Sequence, residues 1–513
     1  MSDAARHRSL ITVAVMLATV IQTLDSTIAN VALPRMQGTL GATQDQISWV
    51  LTSYILASAV FMPLTGFLAA RIGRKRLFVA SVIGFTATSM LCGAAGSLGQ
   101  IVLYRVMQGM FGAFLVPLSQ AVLLDSWPRE KHAAAMAAWG IGVMLGPILG
   151  PTLGGWLTEY YSWRWVFFIN LPIGLLTAAL MLAFLPETPV DPARRLDALG
   201  FGLLALGLAS LQLMLDRGET LDWFASREVW LEAWIAALAL WAFVAHVATH
   251  RAPFIEPALL ADRNFVVGLA AVAVVGVVLF ATTTLLPPFL SNLMGYPVID
   301  VGMVLAPRGI GTAAAMLACG RIGDRIDPRL LIAGGLLLTA WSLHHMTGFD
   351  TDVSARTLVW TGVVQGLGIG FVFPPLTAVA FASLPPRLRN DATGLFSLVR
   401  NVGSSVGISV VVSELSRNTQ ANHAALAVFA DPSRLPMRLA IESGTLRIDT
   451  VEGLAAIQAE VARQAATLAF LQDFRTMTWV SLAALPLVAL LRRPPRRPAT
   501  GPAANAPAAH AID

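Results

Sequence analysis

Long apolar stretches, separated by short polar and basic segments, run through the chain almost from end to end. About 20 apolar residues, rising 1.5 Å each, are needed for a helix to cross the hydrocarbon core of a bilayer. That ruler predicts fourteen spanning helices, near 9–32, 47–70, 77–97, 100–124, 133–157, 165–185, 198–215, 229–249, 264–290, 299–320, 330–349, 355–381, 392–413 and 474–491. The first follows Arg6 and Arg8, as a signal peptide would. It is too long for one, lacks a small-x-small cleavage site and is followed by further spans, so it reads as an uncleaved first helix. The pattern predicts an all-α integral membrane protein.

The polar positions set its orientation. With the N-terminus inside, the inner segments carry 21 Lys and Arg against five in the short outer loops. Long outer segments such as 414–473 contribute little to this bias. Both termini are therefore expected in the cytoplasm, in keeping with an even number of spans. Composition agrees: 56% of the 513 residues are hydrophobic and 13% charged, against roughly a quarter charged in soluble domains. The net charge of +5 comes almost wholly from arginine, Lys75 and Lys131 being the two lysines. The topology bias accounts for it without a nucleic-acid partner.

Several chemistries are excluded. A nucleotide-binding loop needs Gly-Lys-Ser/Thr, and both lysines stand in other contexts. No His-Glu-x-x-His is present, and the one Gly-x-Ser-x-Gly, Gly403–Gly407, lies inside a predicted span, so no enzyme is indicated. Cys92 and Cys319 lie in apolar stretches and suggest neither a disulfide nor a metal site. His246 and His250 are four apart, hence on one helix face, but no acidic or cysteine ligand accompanies them locally. His344 and His345 are adjacent and point to different sides. No metal and no cofactor are expected.

The chain repeats itself. Gly66-Phe-Leu-Ala-Ala-Arg71-Ile-Gly73-Arg74 near the end of span two is matched by Gly320-Arg-Ile-Gly-Asp324-Arg325 in span ten, at an offset of 254. Gln108-Gly109 in span four is matched by Gln365-Gly366 in span twelve, at an offset of 257. Two motifs displaced together predict parallel six-helix repeats, as in many transporters. The implied organisation is a first repeat over 9–186, a linker with two inserted spans over 187–263, a second repeat over 264–491 and a tail over 492–513.

These residues resemble the major facilitator superfamily, in its fourteen-span drug–proton antiporter branch (the Emr-type exporters). The resemblance covers about 9–491. It rests on Leu24-Asp25-Ser-Thr27-Ile-Ala-Asn30-Val-Ala-Leu-Pro34, the basic loop after span two, Arg105-x-x-Gln108-Gly109 in span four, and Trp163-Arg-Trp165-Val-Phe-Phe-Ile-Asn170-Leu-Pro172 entering span six. Span five resembles the antiporter motif. One departure stands out: the first-half loop motif usually carries Asp where this chain has Ala70, which puts a gate latch built on that position in doubt. The resemblance implies proton-coupled efflux of small hydrophobic compounds by alternating access, powered by the proton gradient, in a bacterial inner membrane. It also implies a periplasmic adaptor and an outer-membrane channel as candidate partners. A transporter of the same fold for a specific polar or acidic metabolite is the alternative that composition leaves open.

The candidate site residues follow. Asp25 lies about 16 residues into span one, ~24 Å from the inner edge, and Arg105 ~8 Å below the outer edge, so the two can share a depth. Either Asp25 statically holds Arg105, or it carries the coupling proton. Arg308 and Arg400 fall near the midplane of the second half. There they either pack against carbonyls or hold anionic substrates, since charge at membrane depth normally marks function or pairing. Gly142, Gly146, Gly150 and Gly154, with Pro147 and Pro151, form a small-residue strip suited to close helix contact, and the resemblance places the meeting of the two halves there. The prolines should bend that helix. Finally, residues 451–470 show helical apolar spacing and predict at least one helix outside the membrane.

Overall fold

The computed structural model describes residues 3–128, 131–251, 253–323, 326–430, 434, 438–439, 442 and 450–492. Those residues are helical apart from short connections, and no strand occurs among them. Asp324 and Arg325 lie outside the described residues.

All fourteen predicted spans fall on helices. The first six are α1 (Asp3–Leu40); α2 and α3 (Gln44–Phe61 and Thr65–Ile72); α4 (Arg74–Ala94); α5 and α6 (Leu98–Gly112 and Leu115–Ser126); α7 (His132–Tyr160); and α8 and α9 (Trp165–Phe168 and Asn170–Phe184). The inserted pair is α10 (Ala198–Arg217) and α11 (Arg227–Thr249), followed by the short α12 (Pro257–Ala261). The rest are α13 (Arg263–Pro288), α14 (Val298–Ile322), α15 (Pro328–Met346), α16 (Ala355–Ala382), α17 (Arg389–Ala427), α18 (Val451–Ala483) and α19 (Leu485–Leu490). Among the described residues, eleven helices meet both the length and the apolarity needed to cross a membrane.

Helices are the natural solution in lipid, where every backbone N–H and C=O must bond within its own segment. Their exposed starts are capped from the sequence. Thr43 and Gln46 form a reciprocal capping box on α2, and Ser97, Asp197, Ser226, Asp262 and Ser354 cap α5, α10, α11, α13 and α16. Two predicted spans are interrupted. A 3-10 turn over Met62–Leu64 separates α2 from α3, and residues 113–114 separate α5 from α6. Pro63 and Pro117 explain this, because each lacks an N–H and its ring crowds the carbonyl four residues earlier. By contrast, α7 is unbroken through positions 147 and 151.

The bundle has two ends. The start of α13 and the end of α19 share one, since Arg263 Nε donates to the Leu490 carbonyl and Asn264 bonds residue 492. This is called the terminal face. Contacts between α7 and α14, between α7 and α16, and of α17 against α3 and α6 join the two halves. Helix α10 packs on both α2 and α17, so the inserted pair is seated against both halves.

The segment 414–473 resolves into more than a loop. Helix α17 is 39 residues long and α18 is 33, or ~58 and ~50 Å at 1.5 Å per residue, well beyond the ~30 Å a bilayer core requires. They pair as a hairpin through Asn422 Nδ2 to the Ala465 carbonyl at 3.3 Å and Gln458 to His423 at 3.0 Å. The predicted helix over 451–470 is present and continues into the last span without a break.

Candidate proton-coupling site

Asp25 and Arg105, placed at a shared depth by the sequence, meet in the structure. Arg105 Nη1 donates to Asp25 Oδ2 at 2.6 Å, and both side chains are 0% exposed. Around them is a closed polar cage. Gln108 Nε2 and Asn170 Nδ2 both donate to Asp25 Oδ1, at 2.9 and 3.1 Å. Arg105 Nη1 also reaches Gln108 Oε1 at 2.8 Å, and its Nε donates to the Val50 carbonyl at 2.9 Å. Asn170 is held in turn by Ser89 Oγ at 3.0 Å, which donates to the Phe167 carbonyl. The guanidinium lies 4.2 Å from the Tyr54 ring centroid, a cation–π contact.

Each element contributes for a local reason. Helix α1 (Asp3–Leu40) carries Asp25 in its second half. Helix α5 places Arg105 and Gln108 one turn apart on one face. Gly109 beside them admits the α2 backbone: a Cβ there would come within 2.4 Å of the Tyr54 carbonyl oxygen, so no larger residue fits. The turn Trp165–Phe168 precedes α9 and turns Asn170, the first residue of α9, inward.

The repeat shows why this cage occurs once. At the offset of 257, Asp25 corresponds to Thr282 and Arg105 to Gly362. Gln365, the equivalent of Gln108, donates to Thr282 Oγ1 at 3.2 Å. The geometry is preserved while the charges are gone. At the offset of 254, Arg308 stands where the first half has Tyr54. Its Nη1 reaches Thr283 Oγ1 at 3.3 Å, and its buried Nη2 has no hydrogen-bond partner. Beside it lies a small apolar gap of about 10 Å³ lined by Leu286, Leu290, Leu305 and Phe349. Arg400 lies on α17, its Nε likewise buried without a hydrogen-bond partner; α17 and α14 do not pack along one another.

The glycine strip needs a correction. Gly146, Gly150 and Gly154 face α1, not the other half: a Cβ at Gly146 would meet Thr23 at 2.5 Å, one at Gly150 would meet Thr27, and one at Gly154 would meet Ile28 at 2.9 Å. Gly142 sits more loosely, 3.6 Å from Met16. Different positions on α7 meet the second half, with Gly140 against Met316 and Trp139 stacked on Phe373 at 5.5 Å. Spacing revealed a close contact but carried no information on its partner.

The loop motif also resolves differently from its usual form. Ala70 offers no acid, and two others do the work from elsewhere. Asp391, in the first turn of α17, packs against Gly66, where no Cβ could fit, and pairs with Arg194 at 3.0 Å. Asp125 at the end of α6 bonds Arg74 at 2.5 Å and Arg389 of the second half. Arg71 donates to the carbonyls of Pro192 and Arg194, tying down the linker, and Gly73 takes a φ of 91° that favours glycine.

Three buried polar groups escaped the sequence reading. Gln108 and Asn170 stood inside quoted motifs but had no stated partner. Asp473 stood just before the last predicted span; the structure buries it fully, and neither carboxyl oxygen has a hydrogen-bond partner among the described residues.

Comparison with known proteins agrees with this architecture. The family model described as Major Facilitator Superfamily matches residues 15–408. The multidrug export protein EmrB of Escherichia coli K12 is 36% identical over 430 residues, covering 82% of this chain and 83% of that one. The fatty acid resistance protein FarB of Neisseria gonorrhoeae is 38% identical over 423 residues, with the same coverage. Among solved structures, the human organic anion transporter MFSD10 (TETRAN) aligns over 95% of this chain and 100% of its own, with a TM-score of 0.60 at 14% identity, a likeness of fold. The chain belongs to the major facilitator superfamily, in the branch that holds the Emr-type exporters.

Proposed function

We propose that this protein is a proton-coupled exporter of small hydrophobic compounds that works by alternating access, with the basic terminal face in the cytoplasm. It is a multi-span membrane transporter, not an enzyme. The relatives' names, a multidrug exporter and a fatty acid resistance protein, support the substrate class. The observation that carries the coupling role is the sealed Asp25–Arg105 pair.

Its chemistry suits a proton switch. While Asp25 is ionised, its charge is matched by Arg105 and its Oδ1 accepts from Gln108 and Asn170. A proton arriving on the carboxyl removes the anion and leaves a buried guanidinium without a countercharge. Removing one member of a buried pair costs about 3–5 kcal/mol. Protonation thus raises the free energy of this arrangement relative to one in which Arg105 finds other partners or water. A proton then biases the halves toward the alternative state, and its release restores the pair. Coupling of this kind is reciprocal: a substrate that favours one state changes the proton affinity of Asp25.

The test is substrate-induced proton release from inverted membrane vesicles. Asp25→Asn is expected to abolish it while the protein still reaches the membrane, and Arg105→Ala to do the same. Exchange by Asp25→Asn vesicles at the parent rate assigns coupling to another residue. We further propose that the α17–α18 hairpin projects into the periplasm and meets an adaptor leading to an outer-membrane channel. Its length and the exposed Val451 and Leu454 near its tip support this reading.

A further inference from the structure

The inserted helices bring together three side chains that transport does not use. Asp197 caps α10, its Oδ1 accepting from the Gly200 N–H at 2.9 Å. Its Oδ2 accepts from the Phe254 N–H at 3.0 Å, in the linker to the second half. His246, in the last turn of α11, places Nε2 3.0 and 2.9 Å from the two carboxyl oxygens. His250, one turn on, stacks its ring 4.7 Å from that of His246. One ligand atom from each of the three lies within 4.8 Å of those from the other two. The Asp197 and His246 side chains are 6% and 15% exposed, while His250 faces the solvent. The cluster is therefore held rigidly on two sides and open on the third.

We propose that Asp197, His246 and His250 form a binding site for one divalent transition-metal ion of the zinc type, with water completing the coordination. Bonds of about 2.0–2.2 Å from such an ion place neighbouring ligand atoms roughly 3.3 Å apart in a tetrahedron. The Asp197–His246 pair, at 2.9–3.0 Å, is within a few tenths of an ångström of that separation, so those two part slightly and His250, at the helix end, closes in. Two imidazoles and one carboxylate favour zinc, cobalt, nickel or copper over magnesium or calcium.

Asp197 is ready to ligate. Burial alone would raise its pKa, but the Gly200 N–H and His246 hold the carboxyl below its usual range, so it is anionic. The Gly200 and Phe254 N–H groups orient it as outer-shell partners orient metal ligands. On binding, His246 Nε2 gives its lone pair to the ion in place of an N–H to the carboxylate. The missing third ligand was invisible along the chain because it comes from another helix, 49 residues away. An ion here would staple α11 to the start of α10 and to the linker at Phe254, steadying the pair seated against both halves.

The test uses the full chain purified in detergent with a histidine-free affinity tag. Titration with Co²⁺ is expected to give the visible absorption of a tetrahedral site at one ion per chain, displaced by Zn²⁺ and untouched by excess Mg²⁺. His250→Ala and His246→Gln should each weaken binding at least tenfold. His250→Ala leaves the Asp197–His246 contact in place, so its metal-free melting temperature should match the parent. Zn²⁺ should raise the melting temperature of the parent, as any ligand of the folded state does, and fail to raise that of His250→Ala. Absence of stoichiometric Co²⁺ absorption, or binding unchanged by His250→Ala, overturns the proposal.

Discussion

Arg308 is a buried cation with little company. Its first-half counterpart is an aromatic ring, and the two positions that would correspond to a charged pair, Thr282 and Gly362, carry no charge. One long hydrogen bond to Thr283 and an unpartnered Nη2 leave most of the guanidinium unsatisfied beside an apolar gap. Desolvated charges are expensive unless paired, and the anionic head of a ligand satisfies the guanidinium. Arg308→Gln is expected to reduce resistance to anionic aromatic compounds at least tenfold, with a much smaller effect on cationic dyes, in growth-inhibition assays in a strain without its own pumps. Arg400→Gln should show the same bias. Equal losses for both classes identify these arginines as structural. At this scale the sequence was readable where charge is rare: an acid and an arginine inside apolar spans announce themselves. It was not readable for Gln108 and Asn170, whose uncharged amides look like any polar residue in a helix until the fold aims them at Asp25.

Among elements, apolar run length located every spanning helix, because a lipid-facing segment must be long, apolar and internally bonded. What it could not locate were helix partners. The four-residue glycine period of α7 states that something approaches closely; that the neighbour is α1 follows only from the packed bundle. The interruptions at Pro63 and Pro117 were not foreseen, and positions 147 and 151 of the unbroken α7 show why: proline alone does not predict a break. The α17–α18 hairpin shows the opposite difficulty. A 60-residue interval between predicted spans read as an outer segment, when both helices simply run on past the membrane. This geometry carries a prediction. A photo-reactive crosslinker on Leu454→Cys, 54% exposed near the tip, is expected to capture a co-expressed periplasmic adaptor, whereas one on exposed Trp241→Cys of α11 is not. Transport that is unaffected when the hairpin tip is shortened, together with no crosslink from position 454, removes the adaptor from the account.

For the whole molecule, the decisive contacts lie at the terminal face, where the halves are fastened. Asp125 of the first half is shared between Arg74 of its own half and Arg389 of the other. Asp391 of the second half is seated on Gly66 and paired with Arg194 of the linker. Ser397 reaches Gln120 across the same boundary at 3.3 Å. The acid missing at position 70 is thus replaced by one on the opposing helix: the chain keeps the close approach at Gly66 and moves the charge across the boundary. A transporter that alternates must release this fastening once per cycle, so its strength sets how long the face stays shut. Arg389 is 8% exposed at its side chain and Asp125 29%, so removing the acid leaves a largely buried guanidinium unpaired. Fully buried pairs lose about 3–5 kcal/mol when one partner is removed, and partial solvent access reduces that to roughly 1–2 kcal/mol. Since about 1.4 kcal/mol is tenfold in an equilibrium, Asp125→Asn should raise the population open at this face by about tenfold. Spin labels at exposed positions 76 and 383 report it by pulsed electron resonance: a longer-distance component should grow in Asp125→Asn relative to the parent. Glu159→Gln, which cuts the solvent-exposed pair with Arg35 away from this boundary, should leave the distribution unchanged. Superimposable distributions for Asp125→Asn and the parent would show that the Asp125 bridges do not hold the face closed, and would leave Asp391 against Gly66 as the fastening that matters.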